Sequence, residues 1–537
     1  MVEGVGMEHF LKPWSLALLA ILGSVLYVLL VVAYRLTLHP LAGYPGPFFA
    51  RITDWYNVYY CWSGTRHLEF YRIHQKYGKI VRFGPDRVSI NSNEALKAIY
   101  GSQANTQKSA GYSSFRHFFK SDSTQTIVDK AQHARKRRVL SFALSDKALR
   151  AMEEPMLSHA RKFFAYLRDD QPATDSTSVN PEKKSPKEWA SAKNVADWFG
   201  YLSFDTMGSI IFGSPFDMMD SVKNHYIIDV LADGAGGLML LGHMPMLLTL
   251  KLDQILFPKL VRDNKRYEAY SKGQSDRRIK QEKKTESKDV FQFLLEAKDP
   301  ESGEGFSMPE LVSESSLLII AGSDTSATAM AGTLFYLLHN PATLESVNAE
   351  VRAAFDDVEQ IRAGGRLNGC RYLRACIDEA MRLSPPVGGI MPREVMIGGV
   401  DIDGYHIPAG MDVGTPMYAI HHNELYYPEP FAYRPSRWIA DSEEGVTADS
   451  VSLALSAFCP FSLGPRGCVG KAMAYMEMTI VLARLLWSYE MRLAPGYEKQ
   501  GGGRRGLGAG REREDELQLI DKFVSKADGP MVEFKAR

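Results

Sequence analysis

A chain of 537 residues exceeds the usual span of one hydrophobic core, so length favours several domains or one unusually large one, with room to bury a cofactor. Lys plus Arg equals Asp plus Glu at 63 each, which removes any bulk electrostatic drive toward nucleic acid and leaves charged docking surfaces local. Five scattered cysteines, Cys61, Cys370, Cys376, Cys459 and Cys468, argue against a secreted disulfide framework and for a reducing compartment, with all but Cys468 read as core or surface thiols.

Residues 1–13 form a short N-terminal segment, and residues 14–34 (WSLALLAILGSVLYVLLVVAY) are uncharged throughout, long enough to cross a hydrocarbon core of roughly 30 Å. Trp14, Tyr27 and Tyr34 suit the membrane interface. A cleaved signal peptide would have a shorter apolar region and a small-residue cleavage site, whereas RLTLHPLAGYPGP follows here. Glu3, Glu8 and Lys12 precede the span and Arg35, His39 and Arg51 follow it, a modest bias that points the rest of the chain to the cytosol. Residues 35–50 read as a Pro/Gly-rich hinge, stiffest at HPLAGYPGP, with the main domain over 51–537.

Beyond the hinge the pattern is mainly α with a small β region, the strand-like runs being KIVRFGPDRVSI and REVMIGGVDIDGYHIPAG. Three polar stretches, over 169–189, 271–289 and 499–516, read as surface excursions. The basic run HARKRRVLSFALS begins at His133 and reads first as a solvated helix face. A long helix follows, opened by a Ser307/Glu310 capping box with Pro309 in its first turn and stopped at Asn340-Pro341, roughly 45 Å in length. Inside it AGSDTS sets Asp324 and Thr325 among small and apolar residues; alone, that is an ordinary backbonding cluster. EAMR supplies Glu379 and Arg382, by itself a helical ion pair. His421 and His422 are adjacent, point apart and read as structural rather than metal ligands.

FSLGPRGCVG, residues 461–470, fixes Phe461, Gly464, Arg466, Cys468 and Gly470, a pattern expected by chance in about one chain in ten thousand of this size. The apolar run behind it predicts a helix, so Cys468 falls near a helix N-terminus, where free N–H groups favour the iron-binding thiolate. Glycines at 464 and 470 let backbone approach a flat cofactor, and Arg466 offers a guanidinium to a carboxylate such as a haem propionate. Gly501, Gly503 and Gly506 satisfy GxGxxG without a flanking strand and helix, so the run reads as a loop and no nicotinamide or flavin site is expected.

The loop resembles the FxxGxRxCxG haem-binding motif of the cytochrome P-450 haem-thiolate monooxygenases, and its companions occur in order from the hinge to about residue 495. The resemblance implies the cytochrome P-450 fold, haem b held by Cys468 as axial iron ligand, and Ala321 and Gly322 leaving room above the iron. It implies that Thr325 with Asp324 helps deliver protons during dioxygen activation, and that Glu379, Arg382 and Arg437 form a structural network. His133, standing where the family has tryptophan, Arg137 and Arg393 become propionate partners, and Phe461 covers the sulfur side. Arg135, Lys136 and Arg138 become a candidate patch for a reductase.

By the same resemblance, the reaction is oxidation of a hydrophobic or phenolic small molecule with O2, in the style of fungal secondary metabolism. Electrons from NADPH arrive through cytochrome P-450 reductase, with cytochrome b5 as an optional second donor, at an endoplasmic reticulum membrane. The substrate pocket is expected around Tyr112, Phe115 and Phe118, the segment 232–246, Ala321 and PPVGGIM, with Gly388 and Gly389 leaving space near the iron. A reductase-independent haem-thiolate isomerase or dehydratase, and a non-catalytic membrane haem-binding protein, stay open as alternatives.

Overall fold

The computed structural model describes residues 13–117, 121–168, 188–280, 289–441 and 445–537. Pro13–Thr37 is a single helix, exposed along almost its whole length, and Trp14–Thr37 is the one described helix long and apolar enough to cross a membrane. Length and composition suit an anchor or a signal alike. The hinge is not a free spacer. Arg82 Nη1 donates to the carbonyls of Arg35 (2.8 Å) and Leu41 (3.2 Å), His39 Nε2 lies 2.8 Å from Asp86, and Leu41 is fully buried.

The remainder is mainly helical, with small sheets at its margins. The long helix runs Met308–His339, and Glu310 accepts from both the N–H and the hydroxyl of Ser307 (2.9 and 3.0 Å), closing its first turn as the capping pattern predicts. Around it pack Val195–Phe212, Arg371–Leu383 and Lys471–Ser488. Their apolar faces form the largest core cluster, which includes Leu334, Ile377 and Leu482, all fully buried.

The strand-like run KIVRFGPDRVSI folds as a hairpin, Ile80–Gly84 against Arg87–Ile90. The second run splits into Arg393–Val395 and the hairpin Val400–Ile402/Tyr405–Ile407. The five-stranded sheet runs Ile80–Gly84, Arg87–Ile90, Asp412–Gly414, Arg393–Val395, Thr106–Lys108; only the Arg87–Ile90/Asp412–Gly414 pair is parallel.

Two polar stretches depart from the surface-loop expectation. Residues 271–280 complete the helix Pro258–Lys280, where Ser271, Ser275 and Arg278 are buried. In the tail, Gly503 N–H donates to Arg513 O (2.7 Å), and Arg511 and Glu516 are buried. The tail leads into a hairpin, Leu519–Lys522/Val524–Ala527, and a strand, Met531–Ala536, paired with Tyr489–Leu493. Most of the 169–189 stretch lies outside the described residues.

Candidate active site

Two backbone bonds close the 461–470 loop on itself: Cys468 N–H donates to Phe461 O (2.8 Å) and Gly467 N–H to Gly464 O (2.9 Å). This sets Cys468 three residues before the Lys471–Ser488 helix. Of the five cysteines it alone is exposed, and it faces an apolar cavity of about 300 Å³ rather than open solvent. Burial pushes its thiol up, and the Gly470 N–H, Arg137 and Lys471 only partly pull it back, so the helix terminus alone does not secure a thiolate.

The two motif glycines do different jobs. Gly464 has φ +66, and a Cβ there would sit 2.0 Å from Tyr100 O, so its bareness seats the loop on the protein backbone. Gly470 lines the cavity at an ordinary φ of −84, and a Cβ would lie 3.9 Å from Cys468 Sγ. Phe461 also lines the cavity, its ring packed against Tyr475 with centroids 5.0 Å apart.

Beside the loop, His133, Arg137, Arg393 and Arg466 line a neighbouring cleft. Arg137 donates to Gly467 O, Arg393 to Pro392 O (3.1 Å), and Arg466 to Ile127 O and Val128 O (both 2.6 Å). None of the three arginines has a carboxylate partner among the described residues. Lys108, which the sequence reading missed, is buried alongside and donates to Gln125 O. Burial, then neighbouring cations, lower Arg466 to about 10 and His133 to about 3, and hold Lys108 well below its usual range. So many partly desolvated cations without acids fit a cofactor that brings its own carboxylates, as haem does, next to a thiol that a metal ion would deprotonate. His133 is neutral here and can donate one N–H.

On the long helix, Ala321, Gly322 and Thr325 line the cavity opposite Cys468. The space left by Gly322 is filled by Met207, whose Cε would lie 2.4 Å from a Cβ there. Thr325 Oγ1 donates back to Ala321 O (2.7 Å). Asp324 is one residue, or about 100°, round the helix, and lines a separate cavity of about 60 Å³ with Asp197 and Lys526. Burial, only partly opposed by Lys526, pushes its carboxyl up to about 7. The acid and the alcohol therefore face different cavities. A further acid, Glu477, is likewise pushed up to about 7 by burial; it accepts from Ser203 (3.0 Å) and lies against Ser326, which lines the main cavity.

Glu379, Arg382 and Arg437 come together fully. Arg382 binds both oxygens of Glu379 (2.9 Å each) and Arg437 Nε adds a third bond at 2.9 Å. The Arg434 N–H and Trp438 Nε1–H, absent from the sequence reading, add two bonds at 3.0 Å and bring the donors to five. Burial pushes Glu379 up, but the arginines win and hold it below the usual carboxylate range. His421 and His422 are structural: His421 Nε2 accepts the Cys459 N–H (3.0 Å), and His422 Nδ1 lies 2.8 Å from Tyr418 O.

Arg135, Lys136 and Arg138 do not form a free basic patch. Arg135 and Lys136 pair with Glu310 (2.5 and 2.8 Å) and Arg138 with Asp299 (2.7 Å), because their helix, Lys130–Ala143, meets the start of the long helix and the segment just before it. Gly388 and Gly389 do not open space near the iron site either. A Cβ on Gly389 would lie 2.0 Å from Arg66 Nη2, and one on Gly388 3.2 Å from His67 Cβ. Of the expected pocket, Phe115, Ala235, Leu238, Pro386, Val387 and Met391 do line it. Tyr112 stacks behind Phe115 at 6.1 Å, and Phe118 lies outside the described residues. The wall the sequence reading did not foresee is Phe523 and Val524, at the tip of the C-terminal hairpin.

The family model "Cytochrome P450" matches residues 44–501. Cytochrome P450 monooxygenase AKT7 of Alternaria alternata is 41% identical over 512 residues, 95% of each chain. Cytochrome P450 monooxygenase poxM of Penicillium oxalicum is 36% identical, covering 95% of this chain and 93% of its own. Cytochrome P450 monooxygenase fscF of Fusarium equiseti is 35% identical over 98% and 97% of the two chains.

Proposed function

The chain belongs to the cytochrome P450 family and is a cytochrome P450 monooxygenase; from that premise we propose that it oxidises a hydrophobic or aromatic small molecule of fungal secondary metabolism, by hydroxylation or phenol coupling. Electrons come from NADPH through a membrane-bound reductase, with cytochrome b5 as an optional second donor. The Trp14–Thr37 helix is a retained anchor in the endoplasmic reticulum membrane, with residues 51–537 as one catalytic domain on the cytosolic side.

The observation that carries the reading is the pairing of one cavity-facing thiol with a cluster of carboxylate-free cations beside it. Haem, when bound, supplies reductive dioxygen chemistry, and an anionic sulfur ligand favours O–O cleavage. Cys468 would hold the iron, and Arg137, Arg393, Arg466, Lys108 and His133 would hold the propionates. Thr325 holds a proton at Oγ1 on the cavity side, and Asp324 stores one on the other face of the helix, in equilibrium with the Lys526 cavity. The apolar walls exclude water and accept a neutral substrate.

Reduced protein under carbon monoxide should show the red-shifted Soret band of thiolate ligation, and Cys468→His should lose that band while retaining haem. A wild-type spectrum without the shift sinks the reading.

A further inference from the structure

The Leu519–Lys522/Val524–Ala527 hairpin turns through a single residue: Lys522 pairs with Val524, leaving Phe523 at the tip. Phe523 has φ 76, a left-handed conformation that bulky residues rarely adopt unless their surroundings impose it. Its ring meets that of Phe115 edge-on with centroids 5.4 Å apart, and both rings line the main cavity.

A buried ion pair stands directly behind this tip. Arg66 Nε and Nη2 donate to the two oxygens of Asp521 at 3.1 and 3.3 Å, and the two side chains are only 4% and 0% exposed. Asp521 Oδ1 also accepts the Phe523 N–H at 3.1 Å. Gly389 makes room for the guanidinium, and the Asp521 N–H is tied to Gly64 O at 2.9 Å. On the other strand the Ser525 N–H donates to Pro386 O (2.7 Å), and Thr328 Oγ1 to Ser525 O (3.0 Å). A buried ion pair stabilises a fold no better than apolar residues of the same volume, so its placement behind a strained cavity residue points to geometry rather than stability.

Resting on the reading of this cavity as the substrate site, we propose that Arg66 and Asp521 are positioning residues. They fix the Phe523 ring against Phe115 as the aromatic end wall of the cavity, which sets how long a rigid, neutral, apolar substrate can be and which of its atoms faces Cys468.

The test titrates the full-length holoenzyme with imidazole, 1-phenylimidazole and 1-(biphenyl-4-yl)imidazole, reading the Soret shift that nitrogen ligation of haem produces. Removing the wall with Phe523→Ala should raise the biphenyl-to-phenyl affinity ratio about tenfold. Asp521→Asn and Arg66→Met should each raise it about threefold when Phe523 is present, and leave it unchanged in the Phe523→Ala background, because they act through that ring. Asp521→Asn is nearly isosteric and carries the cycle if Arg66→Met does not fold. An unchanged ratio, or an equal change with and without Phe523, overturns the proposal. Absence of any imidazole-induced shift in the wild type overturns instead the reading of the cavity as a haem site.

Discussion

Around Cys468 the cavity wall is one continuous ten-residue loop closed by its own backbone hydrogen bonds, whereas elsewhere it is assembled from Phe115, the Tyr226–His243 helix, the long helix and the Phe523 tip. The first region is held by polar contacts, and the Glu379 network expected to support it gathers five donors on one carboxylate. The second is lined by apolar side chains, with polar ties behind its Phe523 tip, at the buried Arg66–Asp521 pair. Polar over-determination makes geometry intolerant of any single change; an apolar wall answers mainly to size, and its alteration changes what binds before it changes whether the protein folds.

Substitutions that separate these two behaviours test the comparison. The largest effect should come from Glu379→Gln, which keeps the shape but leaves two buried arginines without their shared anion; a loss of about 3–5 kcal/mol is expected in denaturant unfolding, together with poor haem incorporation. If stability holds, the network is not what supports the cysteine loop.

Gly464→Ala comes next, since it forces a Cβ onto Tyr100 O at a left-handed φ; about 2 kcal/mol or more should be lost. Gly470→Ala, with only an ordinary contact to Cys468 Sγ, should cost about 0.5 kcal/mol or less. Equal losses at the two positions would mean that the motif glycines serve one shared purpose.

On the long-helix side the effect should be smaller and pH-dependent. Asp324 titrates near its usual 3.8 in the unfolded chain and at about 7 in the folded one, because burial disfavours its charge. Between those values the unfolded state has released a proton that the folded state keeps, so the wild type loses stability as pH rises, and the loss is complete above about 7. Asp324→Asn should therefore melt with the wild type near pH 4 and above it at pH 8, by scanning calorimetry. A constant difference across that range removes the shifted acid from the account.

Much of the cysteine side was legible in the sequence because its bonds are local. Five spaced letters in 461–470, the capping box at Ser307 and the EAMR pair each fall within one turn or loop, where residue spacing translates directly into geometry. The C-terminal hairpin was not legible in that way: its tip lacks the Gly or Asn that announces a tight turn, and Phe523 is held there by Asp521 and, through it, by a residue 455 positions away in sequence. The basic run from His133 shows the same limit. Its spacing gave a helix, but which of its cations are paired with Glu310 and Asp299, and which line the cleft without a carboxylate, depends on what the helix docks against.

By itself the sequence determined the anchor-length helix, the mainly helical architecture and the thiol loop, since periodicity, capping and motif spacing act over short stretches of chain. Only the tertiary structure decided that Asp324 and Thr325 face different cavities, that Gly389 holds a guanidinium instead of open space, and that Phe523 lines the main cavity. Each of these depends on which distant surfaces meet, and burial, charge and strain at a side chain are properties of that meeting rather than of the residue.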